Sequence, residues 1–167
     1  MDIPEKTFSA ISITSWLIVP IFIIFDQITK NAVIDHYALW ESSIVWSDAF
    51  RFTRVHNPGA AFGILQSMPY LFTILTTIAI VFITWHKWAS ADQSGLYQFS
   101  LGLILAGAAG NLIDRIRFNY VIDFIDIGIG DSRWPAFNIA DSCISVGVVF
   151  LLATCFNDSE NPQEAGN

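Results

Sequence analysis

Four stretches of the chain are almost free of charge, and polar segments of unequal length separate them. The first, Ile11 to Phe25 (ISITSWLIVPIFIIF), has no charged residue and with its flanks reaches the roughly 20 residues that a bilayer-spanning helix needs. The pattern predicts spans over about 11–30, 69–86, 96–115 and 138–156. Pro20 predicts a kink in the first. In the third, Gly102, Ala106, Gly107, Ala108, Ala109 and Gly110 leave room for close helix packing. His86, Lys87 and Trp88 close the second as interfacial residues.

Polar residues 1–10 precede the first span. Their only basic residue is Lys6, and no small-x-small site follows the apolar run, so an uncleaved first helix is expected. Residues 157–167 (NDSENPQEAGN) form an acidic tail expected to be disordered. The connection over 31–68 is too long for a simple turn. Within it, Ile44 to Val55 alternates apolar and polar residues and predicts one or two short strands. Asn57-Pro58-Gly59 is turn chemistry, and Ala60 to Leu65 predicts a short interfacial helix. In the loop over 116–137, Val121 to Ile125 predicts another short strand. The expected architecture is one membrane domain. It has an all-α core of four transmembrane helices, plus a small extramembrane β element and a short interfacial helix in the first long loop.

Composition supports this layout. Of 167 residues 53% are hydrophobic and 14% charged, and the mean hydropathy is +0.51, which suits a bilayer better than water. A net charge of −7 without a basic stripe excludes nucleic acid as a partner. Cys143 and Cys155 lie roughly 18 Å apart if helical, too far for a disulfide. Four spans place both termini on one side. Lys30, Arg51, Arg54, Arg115, Arg117 and Arg133 stand on the long-loop side against Lys6 and Lys87 on the other. That bias alone would put the long loops in the cytoplasm.

The candidate chemistry concentrates in Gly110 to Asp141, which holds Asp114, Asp123, Asp126, Asp131 and Asp141 with Arg115, Arg117 and Arg133. Ionisable groups at membrane depth are functional candidates. No Ser-His-Asp arrangement is visible, and neither HExxH nor CxxC is present to ligate zinc. Asp123 follows the third span, and Asp141 falls in the first turn of the fourth, with Asn138 as its expected N-cap. Neighbouring spans can bring these two acids together. Two carboxylates sharing a proton separate into a base and an acid, which suffices to hydrolyse a peptide bond. Each acid also has a local reading. Asp114 can pair with Arg115 and Arg117. Asp26 and Lys30, at i,i+4, can form an interfacial ion pair with a snorkelling lysine. A carboxylate-bound Mg²⁺ is a further possibility.

The blocks DQITK (Asp26 to Lys30), NPGAAFGIL (Asn57 to Leu65), GNLIDR (Gly110 to Arg115), VIDF (Val121 to Phe124) and FNIAD (Phe137 to Asp141) resemble, in order, the motifs of lipoprotein signal peptidases, the bacterial signal peptidases II. The resemblance implies an intramembrane aspartic peptidase with Asp123 and Asp141 as the catalytic dyad. It implies cleavage of diacylglyceryl-modified prolipoproteins before the lipidated cysteine. By the same resemblance Asn57, Gly59, Ala61, Phe62, Asn111, Arg115 and Asn138 bind or position substrate and dyad. Asp26, Lys30 and Asp114 are supporting residues. No cofactor or metal is implied. The expected partners are the prolipoprotein and membrane lipid, and the expected state is a monomer. The resemblance also places the chain in the bacterial cytoplasmic membrane, with both termini cytoplasmic and the site near the outer face. Five motifs in register are more specific than the charge tally, so this orientation is adopted. Pro58 and the acidic tail are departures from the family pattern. The competing readings are a four-helix transporter coupling through Asp114 and Arg115, a metal-dependent lipid phosphotransferase, and a membrane scaffold without activity.

Overall fold

The computed structural model describes residues 10–59, 69–91 and 93–160. Four long helices carry the fold: α1 (Ala10–His36), α2 (Pro69–Ala89), α3 (Gly95–Phe118) and α4 (Ile139–Glu160). Strands β1 (Ser42–Trp46), β2 (Phe50–Asn57), β3 (Val121–Ile129) and β4 (Ser132–Arg133) form one antiparallel sheet in the order β1-β2-β3-β4. Among the described residues three helical segments, 14–36, 70–89 and 95–118, are long and apolar enough to cross a membrane. The apolar part of α4, Ile139–Thr154, is shorter. The short helix expected at Ala60 to Leu65 lies outside the described residues.

In α1 the usual sidedness of an amphipathic helix is reversed. Leu17, Ile21, Ile24 and Ile28 are exposed, whereas Ser15, Asp26 and Lys30 are buried. Polar groups inside and apolar groups outside suit a helix whose outer solvent is lipid. α1 also runs six residues past Lys30. Arg54 Nη1 donates to the carbonyls of Ile34 (3.1 Å) and Tyr37 (2.9 Å), meeting acceptors that the helix end leaves open.

α3 is the central helix and packs against α1, α2 and α4. It starts where the Ser94 side chain accepts from Tyr97 N, and it stops at Asn119 in a left-handed conformation. Its small residues set the spacing to α4 and α1. A Cβ on Gly107 would lie 2.2 Å from the Ala140 carbonyl oxygen, and one on Gly110 would lie 2.7 Å from Asp26 Oδ2. Glycine at these positions is therefore a packing requirement.

The β element extends beyond the first loop. β3, from the second long loop, pairs with β2 from Asn57↔Val121 to Phe50↔Ile127, so the two loops share one sheet. β4 closes back on β3 through Gly130, whose φ of 56° suits glycine. Ile122 and Phe124 of β3 pack with Val33 of α1 and fasten the sheet to the end of the bundle. Lys87, expected at the interface, is instead fully buried.

Gly107→Ala tests the α3–α4 spacing. Alanine favours a helix by about 1 kcal/mol, yet overpacking here should cost more and lower net stability by about 1–3 kcal/mol. Thermal unfolding in detergent reads the sign, and an unchanged or raised Tm would contradict the packing argument.

Candidate active site

The site is assembled at the start of α4. Asn138 and Asp141 cap that helix reciprocally: Asp141 N donates to Asn138 Oδ1 at 2.9 Å, and Asn138 N donates to Asp141 Oδ2 at 3.2 Å. This is the capping-box arrangement, with an acid at the third helical position. The amide of Asn138 then turns toward the sheet. Its Nδ2 donates to Asp123 Oδ1 (2.7 Å), to the Ile122 carbonyl (3.2 Å) and to Asn111 Oδ1 (3.2 Å). Asn138 is fully buried and touches both carboxylate-bearing elements.

Two further amides hold the acids. Asn57 Nδ2 donates to Asp123 Oδ2 at 2.9 Å, and Asn111 Nδ2 donates to Asp141 Oδ1 at 2.8 Å. Gly59 N donates to Asn57 Oδ1 at 3.1 Å, which directs the Asn57 amide nitrogen at Asp123. Asp123 is 2% exposed, so its carboxylate has lost nearly all hydration. Burial raises the Asp123 carboxyl from the usual 3.8 to about 7, and the charge of Asp141 adds to the rise. The Asn57 amide, the Lys30 charge and the Asn138 amide oppose it.

Behind the acids lies a buried ion cluster. Lys30 Nζ contacts Asp26 Oδ2 (2.9 Å), Asp114 Oδ2 (2.9 Å) and Asn111 Oδ1 (3.0 Å), which uses all three of its donors. Each flanking carboxylate also reaches a backbone N–H next to Asp123 or Asp141. Asp114 Oδ2 accepts from Ile122 N at 3.1 Å, and Asp26 Oδ1 accepts from Ala140 N at 2.9 Å. The snorkelling-lysine reading of Asp26 and Lys30 is therefore wrong, since both are 1% exposed. Asp114 bonds to Lys30, Gln27 and Ile122 N in place of the local arginine pairing.

Arg115 lies with its guanidinium 5.9 Å from the Phe72 ring centroid, and its charge interacts with those of Asp141, Asp123 and Asp114. Asp126 belongs to the sheet, where Arg133 Nε binds it at 2.5 Å and Thr53 Oγ1 at 2.8 Å. Among the described residues no three His, Cys, Asp or Glu side chains converge as a metal site would need. Of the site residues expected from sequence, the structure gathers Asp26, Lys30, Asn57, Gly59, Asn111, Asp114, Asp123, Asn138 and Asp141 into one hydrogen-bonded network. Ala61 and Phe62 lie outside the described residues. Gln27 was missed. Its Nε2 donates to Asp114 Oδ1 (2.9 Å), the Gly110 carbonyl (3.3 Å) and Asp26 Oδ2 (3.2 Å), and only its place between Asp26 and Lys30 hinted at this.

Residues 18–157 match the family model described as signal peptidase (SPase) II. The lipoprotein signal peptidase of Syntrophus aciditrophicus (strain SB) is 47% identical over 135 residues, covering 78% of this chain and 84% of that protein. That of Halothermothrix orenii is 42% identical over 137 residues, covering 82% and 91%. A bacterial membrane enzyme solved by the in meso method superposes with a TM-score of 0.82 at 34% identity, over 90% of this chain and 92% of that one.

Lys30→Met leaves Asp26 and Asp114 buried without their cation. Breaking such a cluster from one side costs about 3–5 kcal/mol. Thermal unfolding in detergent should show this loss, and a Tm equal to wild type would contradict the central place given to Lys30.

Proposed function

The chain belongs to the signal peptidase II family, membrane-embedded peptidases of lipoprotein signal-peptide processing, and on that premise we propose that it is an intramembrane aspartic endopeptidase. Its substrate is a diacylglyceryl-modified prolipoprotein, cut before the lipidated cysteine. Asp123 and Asp141 form the dyad. The observation that carries this reading is the Asn138 bridge, which binds both acids and holds each against amide donors at the meeting of β3 and α4.

The raised Asp123 carboxyl carries the shared proton, and Asp141 acts as the carboxylate base. Asp141 takes a proton from water as the water oxygen bonds to the scissile carbonyl carbon. Asp123 gives its proton to the carbonyl oxygen, and a gem-diol forms. As the C–N bond breaks, Asp141 passes its proton to the departing nitrogen, and a diol hydroxyl returns a proton to Asp123. The products are a signal peptide with a new carboxyl group and a lipoprotein whose lipidated cysteine has a free amine. Asn57, Gly59, Asn111 and Asn138 fix the acids, and Arg115 adds positive charge beside them. Ala61 and Phe62 belong to the segment that follows Gly59 and are assigned to the substrate side.

The enzyme is a monomer of the bacterial cytoplasmic membrane, with α4 as a fourth span, both termini cytoplasmic and the dyad near the outer face. A substrate anchored by its acyl chains meets carboxylates at that depth without leaving the bilayer.

Cleavage of a diacylglyceryl-modified prolipoprotein by purified protein, with chelator present throughout, tests this reading. Wild type should cleave, and Asp123→Asn and Asp141→Asn should each fall by at least about 10²-fold while remaining folded. Near-normal turnover by either amide would remove that residue from the dyad. No cleavage by well-folded wild type would overturn the peptidase reading and return the assignment to transport or phosphotransfer.

A further inference from the structure

The proposed mechanism uses no histidine, yet His56 stands one residue before Asn57, whose amide donates to Asp123 Oδ2 at 2.9 Å. Along β2 the side chains of Arg54 and His56 share one face, and Asn57 points to the other. The His56 ring is half-buried and lies flat on Tyr120, with centroids 4.0 Å apart and planes at 16°. Tyr120 stacks in turn on Phe118 at 5.6 Å, and the Arg117 guanidinium lies 4.6 Å from the Phe118 ring centroid. Tyr120 and Phe118 also pack on the Val33, Ile122 and Phe124 cluster that fastens the sheet to the bundle. The stack therefore covers the joint beside which Asn57 ends its strand.

Arg54 fixes the edge of the ring. Its Nε donates to His56 Nε2 at 3.3 Å, while its Nη1 donates to the Ile34 and Tyr37 carbonyls at the end of α1. A guanidinium has only donors, so His56 must present a lone pair at Nε2 and carry its proton on Nδ1. A protonated ring would set donor against donor and cation against cation. The groups around it are Arg54 on β2, the Tyr120 phenol ahead of β3 and, beyond Phe118, Arg117 on α3. From α1 come backbone carbonyls that Arg54 already occupies. None of these is an anion that would offset the new charge. Residues 60–68, AAFGILQSM, carry no ionisable side chain. Burial first, and the Arg54 charge second, lower the His56 pKa from the usual 6.5.

We propose that His56 is a positioning residue that works only as a neutral imidazole: bound to Arg54 and stacked on Tyr120, it holds the end of β2 so that Asn57 meets Asp123. Asn57 is the last residue of β2, paired with Val121, and His56 is paired with Ile122. Protonation breaks the Arg54 contact one residue before this end, and Asn57 loses its aim at Asp123. Activity therefore falls as acid protonates His56. The lowered pKa keeps the neutral, competent ring in place to a lower pH than a free histidine would allow. The role rests on the peptidase reading and adds an acid limit to it.

The test is kcat/KM against pH for a diacylglyceryl prolipoprotein, with purified protein in detergent. Wild type should show an acid limb below pH 6.5. His56→Ala leaves Arg54 Nε without its acceptor and should lower the plateau at least about fivefold. His56→Gln restores an acceptor that cannot titrate. It should recover most of the plateau and, at pH about 5, retain at least about threefold more of it than wild type does. Tyr120→Phe keeps the stack and should leave the limb in place. Tyr120→Ala uncovers the ring, so its limb should move up toward 6.5. A purely structural His56 would change the plateau without moving the limb. An acid limb at the same pH in wild type and His56→Gln would overturn the proposal. Should His56→Gln fail to fold, a Tyr120→Ala limb that stays put or moves down would overturn it by the other route. No cleavage by well-folded wild type would instead strike the peptidase reading, and the role of His56 with it.

Discussion

The structure depends on a lysine held between two carboxylates in a place that offers none of them water. Lys30 lies between Asp26 on its own helix and Asp114 on α3, with Asn111 as its third acceptor. An isolated charge at that depth would cost several kcal/mol, so each of the three groups is tolerable only because the others are present. The cluster also reaches outward. Asp114 grips the backbone one residue before Asp123, and Asp26 grips the backbone one residue before Asp141. A single cation in α1 therefore sets where β3 and α4 stand relative to each other. Asp123 and Asp141 inherit their relative placement from that.

Packing adds the second constraint. Gly107 lets α3 approach the first turn of α4 so closely that a methyl group would overlap the Ala140 carbonyl, and Gly110 leaves room for the Asp26 carboxylate of α1. Small residues in membrane helices commonly serve contact, and here the contact delivers Asn138 and Asp141 to the mouth of the bundle. The sheet supplies the other half of the site. Because β2 and β3 are paired, Asn57 from the first loop and Asp123 from the second arrive side by side. The site is therefore formed where a helical bundle ends and a sheet begins.

Much of this was legible in the chain, for local reasons. Asn138 followed three residues later by Asp141 is a capping signature, and it fixed the start of α4. The apolar runs marked the helices, the alternation in Ile44 to Val55 marked strands, and Val121 to Ile125 read as a further short strand. What the sequence concealed is non-local. Asp26 and Lys30 look like an interfacial pair because their i,i+4 spacing is visible, whereas Asp114 and Ala140, which bury them, lie far along the chain. Lys87 looks like an interfacial residue for the same reason, since Ser15 and Gln98, which accept from its ammonium, are not its sequence neighbours. α1 appeared to end near Lys30 because Asn31, Asp35 and His36 are polar. Arg54, arriving from β2, caps its last turn. The joining of both loops into one sheet is a matter of register, which alternation alone does not specify.

The central claim is that one proton is shared by Asp123 and Asp141 and that Asp123 holds it. A buried carboxyl raised to about 7 is protonated below that pH and ionised above it. The two states are inequivalent for catalysis, because only the protonated carboxyl can donate to the scissile carbonyl. The direct measurement is the pH dependence of kcat/KM on a diacylglyceryl prolipoprotein, with chelator at every point. The account predicts a rate that falls as pH rises through about 7, with a limb unaffected by chelator. A rate that stays level well above pH 7, or a limb that appears only when metal is supplied, would contradict it.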